Sequence, residues 1–515
     1  MIVMLGMEGW REMRNALSVI VLAFAMLASS CEEVGVREVD PPKPKEDKDS
    51  TTLDDGPIDF TKFTDTYATI ASPDLVEQWA HYNVHDPSMV DARSYMLDAG
   101  DFYYCYSTDA AWGYPIKPGI QIRRSINLVE WEFVGWLFAG LPTAASNYII
   151  QNGGTPNDGM WAPYAMKAGD EYRVYYSLAS DASRVSAIGL AASTSPKGPF
   201  SDKGIVVRSM TSGVHTNAID PSVATGKDGR MWMYYGSSWD GIYLLELDPI
   251  TGLAKTNLDI GHRVAHRGFT DNTINGNIEG AEIIYNPDFD MYYLFIAYDW
   301  LFTKYNVRVG RSANPDGPFL DMNGNDMNVK SDNWPMIQAP YRFQGHDGWQ
   351  GIAHSSVFER DGDFFIANQA RPGISPFFMV MHVRQLHWTE EGWPMVSPER
   401  YADESESAVT KNELAGDWEQ IVFGYDIVPG FADEQKAPGF QDAVDITINA
   451  DGTIGEDATD TWSYVAPWLT MSWDDGARVD KLYVERGRDW ENNVSATILF
   501  TGFTDTGTTV WGKKK

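Results

Sequence analysis

One local pattern occurs five times along this chain: a short strand, a turn, then an aromatic strand ending in small polar residues. The five copies open on His85-Asp86-Pro87-Ser88, Trp161-Ala162-Pro163-Tyr164, Ile219-Asp220-Pro221-Ser222, Ile278-Glu279-Gly280-Ala281-Glu282 and Ala353-His354-Ser355-Ser356. Their aromatic partners include Tyr103-Tyr104-Cys105-Tyr106-Ser107, Tyr175-Tyr176-Ser177, Met231-Trp232-Met233-Tyr234-Tyr235-Gly236-Ser237, Tyr292-Tyr293-Leu294-Phe295 and Phe364-Phe365-Ile366-Ala367-Asn368. The leading residues Asp86, Trp161, Asp220, Glu279 and His354 are spaced 75, 59, 59 and 75 positions apart. Repeats of that length, built from short strands and Gly/Asp turns, predict propeller blades of about four strands each. The fold class expected is all-β: a five-bladed β-propeller over 71–405, then a small β-barrel or sandwich over 413–515. Innermost strands of a propeller line one channel, so the five leading residues should converge there. The wider spacings call for insertions, which 139–159 and 322–348 supply.

The second unit opens at Gly416-Asp417-Trp418-Glu419-Gln420-Ile421-Val422. Alternation such as Val444-Asp445-Ile446-Thr447-Ile448 marks half-buried antiparallel strands. At the other end, Arg11 and Arg14 precede an apolar run from Leu17 to Leu27, followed by Ala28-Ser29-Ser30-Cys31. That order is a secretory signal over 1–31. A cysteine directly behind small residues resembles a bacterial lipoprotein signal, which places a lipid on Cys31 and the protein at the cell envelope. The acidic, Pro-rich stretch over 32–70 reads as a flexible tether. Cys105, the other cysteine, lies in an aromatic strand and is expected to be a buried thiol.

The formal net charge of −32 repels nucleic acid and anionic lipid surfaces, so a neutral substrate fits best. Three carboxylates at one channel suit glycosidic hydrolysis. One carboxylic acid protonates the leaving oxygen, a second carboxylate activates water, and a third can shift the acid's pKa. Trp161 would offer a ring face to a sugar, Asn217 a hydrogen bond to a hydroxyl, and Trp239 a wall of the cleft.

His85-Asp86-Pro87-Ser88, Trp161-Ala162-Pro163, Asn217-Ala218-Ile219-Asp220-Pro221-Ser222, Glu279-Gly280-Ala281 and Val383-Arg384-Gln385-Leu386-His387-Trp388 resemble, in this order, glycoside hydrolase family 43. Within that family the chain is similar to the endo-α-1,5-L-arabinanases that carry a C-terminal β-domain. The resemblance implies an inverting enzyme. Asp86 matches the general base, Glu279 the general acid, and Asp220 the carboxylate that orients the acid and raises its pKa. Glu282 is the rival acid, three residues on. His354 matches a residue that helps hold a metal ion, usually calcium, largely through water. Ala281 and Tyr164 depart from the family pattern without touching the three carboxylates. The implied partners are arabinan as substrate and a membrane reached through the lipid, with the chain a monomer. Two alternatives stand beside this reading: an exo-acting α-L-arabinofuranosidase or β-xylosidase, and a non-catalytic glycan-binding lipoprotein.

Overall fold

The computed structural model describes residues 56–515 apart from 65–66, 94–101, 112, 213–215, 268, 271–272, 275–276, 330–332, 405–406 and 425–435. The signal, Cys31 and the tether up to residue 55 lie outside the described residues. Of the expected tether, 56–64 and 67–70 are packed rather than loose. Phe60 and Phe63 meet the Trp490 ring at 5.3 and 5.0 Å, and Tyr67 is buried against Tyr82 and Phe378. Three aromatic rings in fifteen residues supply the apolar area that a tether lacks.

Four four-stranded antiparallel sheets follow in chain order, then a fifth of six strands, in which Gln441–Asp442 adds a parallel edge on Tyr341–Arg342. Their first strands are Ser88–Asp91, Trp161–Ala168, Ser222–Thr225, Ile278–Asn286 and Trp349–Arg360. Each pairs with the aromatic strand predicted from the repeat: Tyr103–Ser107, Glu171–Leu178, Met231–Tyr235, Met291–Tyr298 and Asp363–Pro372. The aromatic strands are almost wholly buried because both of their faces pack on neighbouring blades, which explains their unbroken apolar runs. Cys105 is a buried thiol in the first of them. The insertion at 139–159 contains a helix, Thr143–Gln151, and 322–348 contains the fourth blade's outer strand, Met336–Gln338.

Among the described residues, no strand is exchanged to close the ring. Blade one meets blade five through the Tyr82–Val380 bridge and through Asn83 N–H to Met379 O at 2.8 Å. Closer to the axis, one position in every inner strand reaches the next blade. Ser88 Oγ accepts from Ala165 N at 2.9 Å, Tyr164 Oη donates to Val223 O at 2.8 Å, and Ser222 Oγ accepts from Ile283 N at 3.2 Å. Glu282 Oε1 accepts from Val357 N at 3.0 Å, and Ser356 Oγ accepts from Met89 N at 3.0 Å. These five bonds form a closed belt around the channel.

The C-terminal unit is a closed eight-stranded barrel, not a sandwich. It runs from Gly416–Val422 to Thr509–Lys514, and these two strands pair with each other. Its interior is filled by Trp418, Leu469, Met471, Leu482, Phe500 and Val510. At Gly512 an added Cβ would lie 2.0 Å from the Phe500 ring, so only glycine fits there. The barrel packs on blades four and five through Ile421, Phe423, Phe503 and Trp511 against Tyr341, Trp349 and Trp393.

Candidate active site

In every blade a left-handed residue stands two positions ahead of the belt residue: Asp86 (φ 51°), Ala162 (35°), Asp220 (59°), Gly280 (59°) and His354 (52°). This corrects the expected equivalence of the five leading residues. Asp86, Asp220 and His354 share one register. Trp161 and Glu279 stand one position earlier, level with His85. The repeat therefore brings two successive rings to the mouth, and the acid and base come from different ones. Gly280 meets both demands of its place: φ is positive, and a Cβ would lie 3.0 Å from His354 Nδ1.

Asp86 is 6% exposed and heavily partnered. Thr108 Oγ1 donates to its Oδ2 at 2.6 Å, and its own N–H donates to Gln369 Oε1 at 2.8 Å. His354 Nδ1 lies 3.0 Å from Oδ1. His85 Nδ1 lies 2.6 Å from Oδ2, but off the line a hydrogen bond needs. Burial pushes the carboxyl up, yet His354 and His85 overcome it and hold Asp86 well below the usual range. His354 shows the reciprocal effect. Burial disfavours its charge, but Asp86 and then Asp220 outweigh that and raise it to about 9.

Glu279 is partly exposed and cradled by hydroxyls, with Ser237 Oγ donating to Oε2 at 2.5 Å and Tyr305 Oη donating to Oε1 at 2.9 Å. Asp220 Oδ2 accepts from the N–H of Gly280 at 3.2 Å, so it grips the peptide that carries the acid. Burial first, then the charges of Glu279 and Asp86 over an opposing His354, raises Asp220 to about 8. Tyr305 is pushed well above its ordinary range by burial and by these same carboxylates. The electrostatic coupling puts Asp86, Asp220, Glu279, His354 and Tyr305 in one site.

Glu282 is not part of it. The strand bulges between Glu279 and Glu282, and Glu282 turns into the interblade belt, where Ser222 Oγ donates to its Oε2 at 2.8 Å. Of the expected sugar contacts, Trp161 is half-buried at the start of the second inner strand. Trp239 follows Ser237 and Ser238 near the acid, with the Arg184 guanidinium 4.8 Å over its ring. One ring face is therefore covered. Asn217 Oδ1 accepts from Ser209 Oγ at 3.4 Å, and its backbone bridges to Ser237.

The sequence reading missed Thr108, Ser177, Ser237, Gln369 and Tyr305. Four of them carry a signal that was available: they are the small polar residues that end the aromatic strands. Thr108 supports Asp86, Ser177 Oγ accepts from Asp220 N at 3.2 Å, Ser237 supports Glu279, and Gln369 supports Asp86. Tyr305 comes from a loop that has no counterpart in the repeat.

A calcium ion beside His354 is compatible with these residues. A carboxylate on one ring nitrogen is how metal-binding histidines are usually oriented, and here Asp86 takes Nδ1; because Asp86 and Asp220 favour the protonated ring, an ion at Nε2 would have to displace its proton. Calcium's oxygen ligands would come mainly from water. Among the described residues, the one converging group of three acidic side chains is Glu399, Asp489 and Glu491. That group is already served: Lys513 Nζ lies 2.8, 2.8 and 3.0 Å from the three carboxylates.

Residues 83–394 match the family model for glycosyl hydrolases family 43, and 398–512 match that family's C-terminal lipocalin-like domain. The chain belongs to glycosyl hydrolase family 43. It is therefore a glycoside hydrolase built on the propeller described above. It is 29% identical to an extracellular endo-α-(1→5)-L-arabinanase of Thermotoga petrophila, over 83% of this chain and 93% of that one. It is 30% identical to an extracellular exo-α-(1→5)-L-arabinofuranosidase of Cellvibrio japonicus, over 61% of this chain and 86% of the relative. The crystal structure of an endo-1,5-α-L-arabinanase from Thermotoga petrophila superimposes with a TM-score of 0.69 at 26% identity, covering 84% of this chain and 98% of that one. The barrel differs from a ligand-carrying lipocalin in its packed interior, where Trp418 and Phe500 meet at 5.1 Å.

Proposed function

We propose that this family 43 hydrolase cleaves α-1,5-L-arabinofuranosidic bonds within arabinan, with inversion at the anomeric carbon. The pairing of an ionised Asp86, held by two histidines and a threonine, with a hydroxyl-cradled and accessible Glu279 carries the reading. Asp86 takes a proton from water as that water attacks the anomeric carbon. Glu279 gives a proton to the departing glycosidic oxygen. Asp220 keeps the Gly280 peptide, and so Glu279, in place. The arabinanase names of the relatives support the sugar. Two relatives matched over both domains are endo-acting, while those matched over only the propeller's share include one exo-acting and one endo-acting enzyme.

The deciding experiment is digestion of linear arabinan with product lengths followed over time. Early release of a ladder of oligomers is expected; single arabinose units from the start would make the enzyme exo-acting. Early proton NMR should show the new hemiacetal in inverted configuration, and a retained anomer would make Asp86 a nucleophile instead.

The calcium ion, held through His354 Nε2 and water, would supply positive charge that orders channel water. Chelation is then expected to lower thermal stability as well as activity, with calcium restoring both. The lipid on Cys31 would anchor a monomer at the cell envelope, and Cys31→Ala should release active protein from membranes.

A further inference from the structure

Two loops rise at the channel mouth between the second and third strands of blades four and five, over 299–305 and 373–379. They carry Trp300, Phe302, Ile374 and Phe377. Trp300 meets Phe302 edge-on at 5.4 Å, and Phe302 meets Phe377 at 5.9 Å. Loop residues with such rings normally bury them. Here Phe377 is 37% and Ile374 58% exposed, so the cluster presents an apolar face to solvent.

This face is wired to both catalytic carboxylates. The buried Arg371 lies 4.7 Å over the Phe302 ring, and its charge bears on Asp86 and His85. Its Nη1 donates to Pro376 O at 2.5 Å, which fixes the loop that carries Phe377. Tyr305, which closes the other loop, donates to Glu279. These contacts set the cluster beside the two carboxylates between which a glycan would be cleaved. Sugar rings offer C–H faces to aromatic side chains and need no charge, which also suits a chain of net charge −32.

We propose that Trp300, Phe302, Phe377 and Ile374 form a distal shelf that binds arabinofuranose units beyond the two flanking the scissile bond. The shelf sets a preference for long substrates and rests on the arabinan reading above. If the shelf lies beyond the sugars that flank the scissile bond, its contribution grows with oligomer length.

The test compares kcat/KM on arabinohexaose and arabinotriose for the wild type, Phe377→Ala, the Phe377→Ala/Ile374→Ser double variant and Phe377→Trp. Removing one stacking ring should lower the hexaose-to-triose ratio about five- to tenfold. Phe377→Trp should restore it. Val465→Ala, at a 79%-exposed position on the barrel, should leave the ratio at its wild-type value. An unchanged ratio in the double variant overturns the shelf, and so does an equal fall on both substrates, which would mark a structural role. Failure of the arabinan reading looks different. The wild type would then hydrolyse neither oligomer, and the ligand assigned to the shelf would fall with it.

Discussion

Asp86 shows how a buried carboxylate is kept charged. Burial alone would neutralise it, and three side chains reverse that, each from a different part of the ring: His85 beside it, Thr108 on the next strand and His354 from blade five. Asp86→Asn is expected to cut kcat about 10²–10⁴-fold, because an amide cannot take the water's proton. Glu279→Gln should fall comparably on arabinan. An aryl arabinoside with an acidic phenol leaving group should recover much of that loss, since it needs little protonation; equal loss on both substrates would remove Glu279 as the acid. Thr108→Val keeps the shape and deletes the hydroxyl that links Asp86 Oδ2 to Ala162 N. A hydrogen bond to a charged group contributes about 1.5–3 kcal/mol, so kcat should drop roughly 10- to 100-fold with KM little changed. A wild-type kcat would show that the two histidines hold Asp86 unaided.

At the scale of elements, the inner strands do two jobs on successive residues. The left-handed residue aims one side chain at the channel, and two residues later a polar group ties the strand to its neighbour. Left-handed backbone at a non-glycine costs about 1–3 kcal/mol, and the surrounding sheet enforces it here. Glu282 is the one carboxyl in the belt. Burial, against the hydrogen bonds from Ser222 and Val357, raises it to about 7. An unfolded chain ionises this group near its ordinary value of 4.5, whereas the folded chain holds the proton to about 7. The folded state therefore binds more protons across that window, and the stability this group confers falls as pH rises from about 4.5 to about 7. Glu282→Gln should flatten that part of the stability–pH curve, removing a difference on the order of 3 kcal/mol between its ends. Urea midpoints measured at pH 4.5 and 7.5 check it; parallel curves for both proteins would sink the assignment.

For the whole molecule, the barrel is locked to the propeller by a buried charge. Lys513 on the last strand reaches Glu399, just beyond the last blade, together with Asp489 and Glu491 of the barrel. Trp349 Nε1 and Tyr341 Oη also reach Glu491, at 3.3 and 3.4 Å. Lys513→Met would strand three buried carboxyls without their cation and should destabilise the protein by about 3–5 kcal/mol. The linker around 398–415 should then become open to proteases. Thermal unfolding and limited proteolysis read the two effects, and an unaltered melting curve would mean that apolar contacts alone hold the domains together.

Some of this was fixed by residue types and their spacing. The fivefold repeat sets the number of blades, because each copy carries one inner strand and one doubly buried aromatic strand. The same repeat marks Asp86, Asp220, Glu279 and His354, because chemistry in a propeller collects where inner strands begin. Their exact register was not legible: Pro87, Pro163 and Pro221 align three copies, but Glu279-Gly280-Ala281 offers no proline, and only backbone dihedrals show that Glu279 stands level with His85. Phe60 and Phe63 sit next to an acidic run, and composition alone could not say that Trp490, over four hundred residues away, would bind them down. Tyr305, Arg371 and the Trp300–Phe377 shelf lie in loops outside the repeat. Period carries no information about such loops: Tyr305 meets Glu279 through the folding of blade four, and Arg371 comes beside Asp86 only when blade five closes against blade one. Glu399, Asp489 and Glu491 carry no signal in the sequence; they meet only in the fold, and the lysine that pairs with them arrives from the last strand of a barrel whose closure no local pattern encodes.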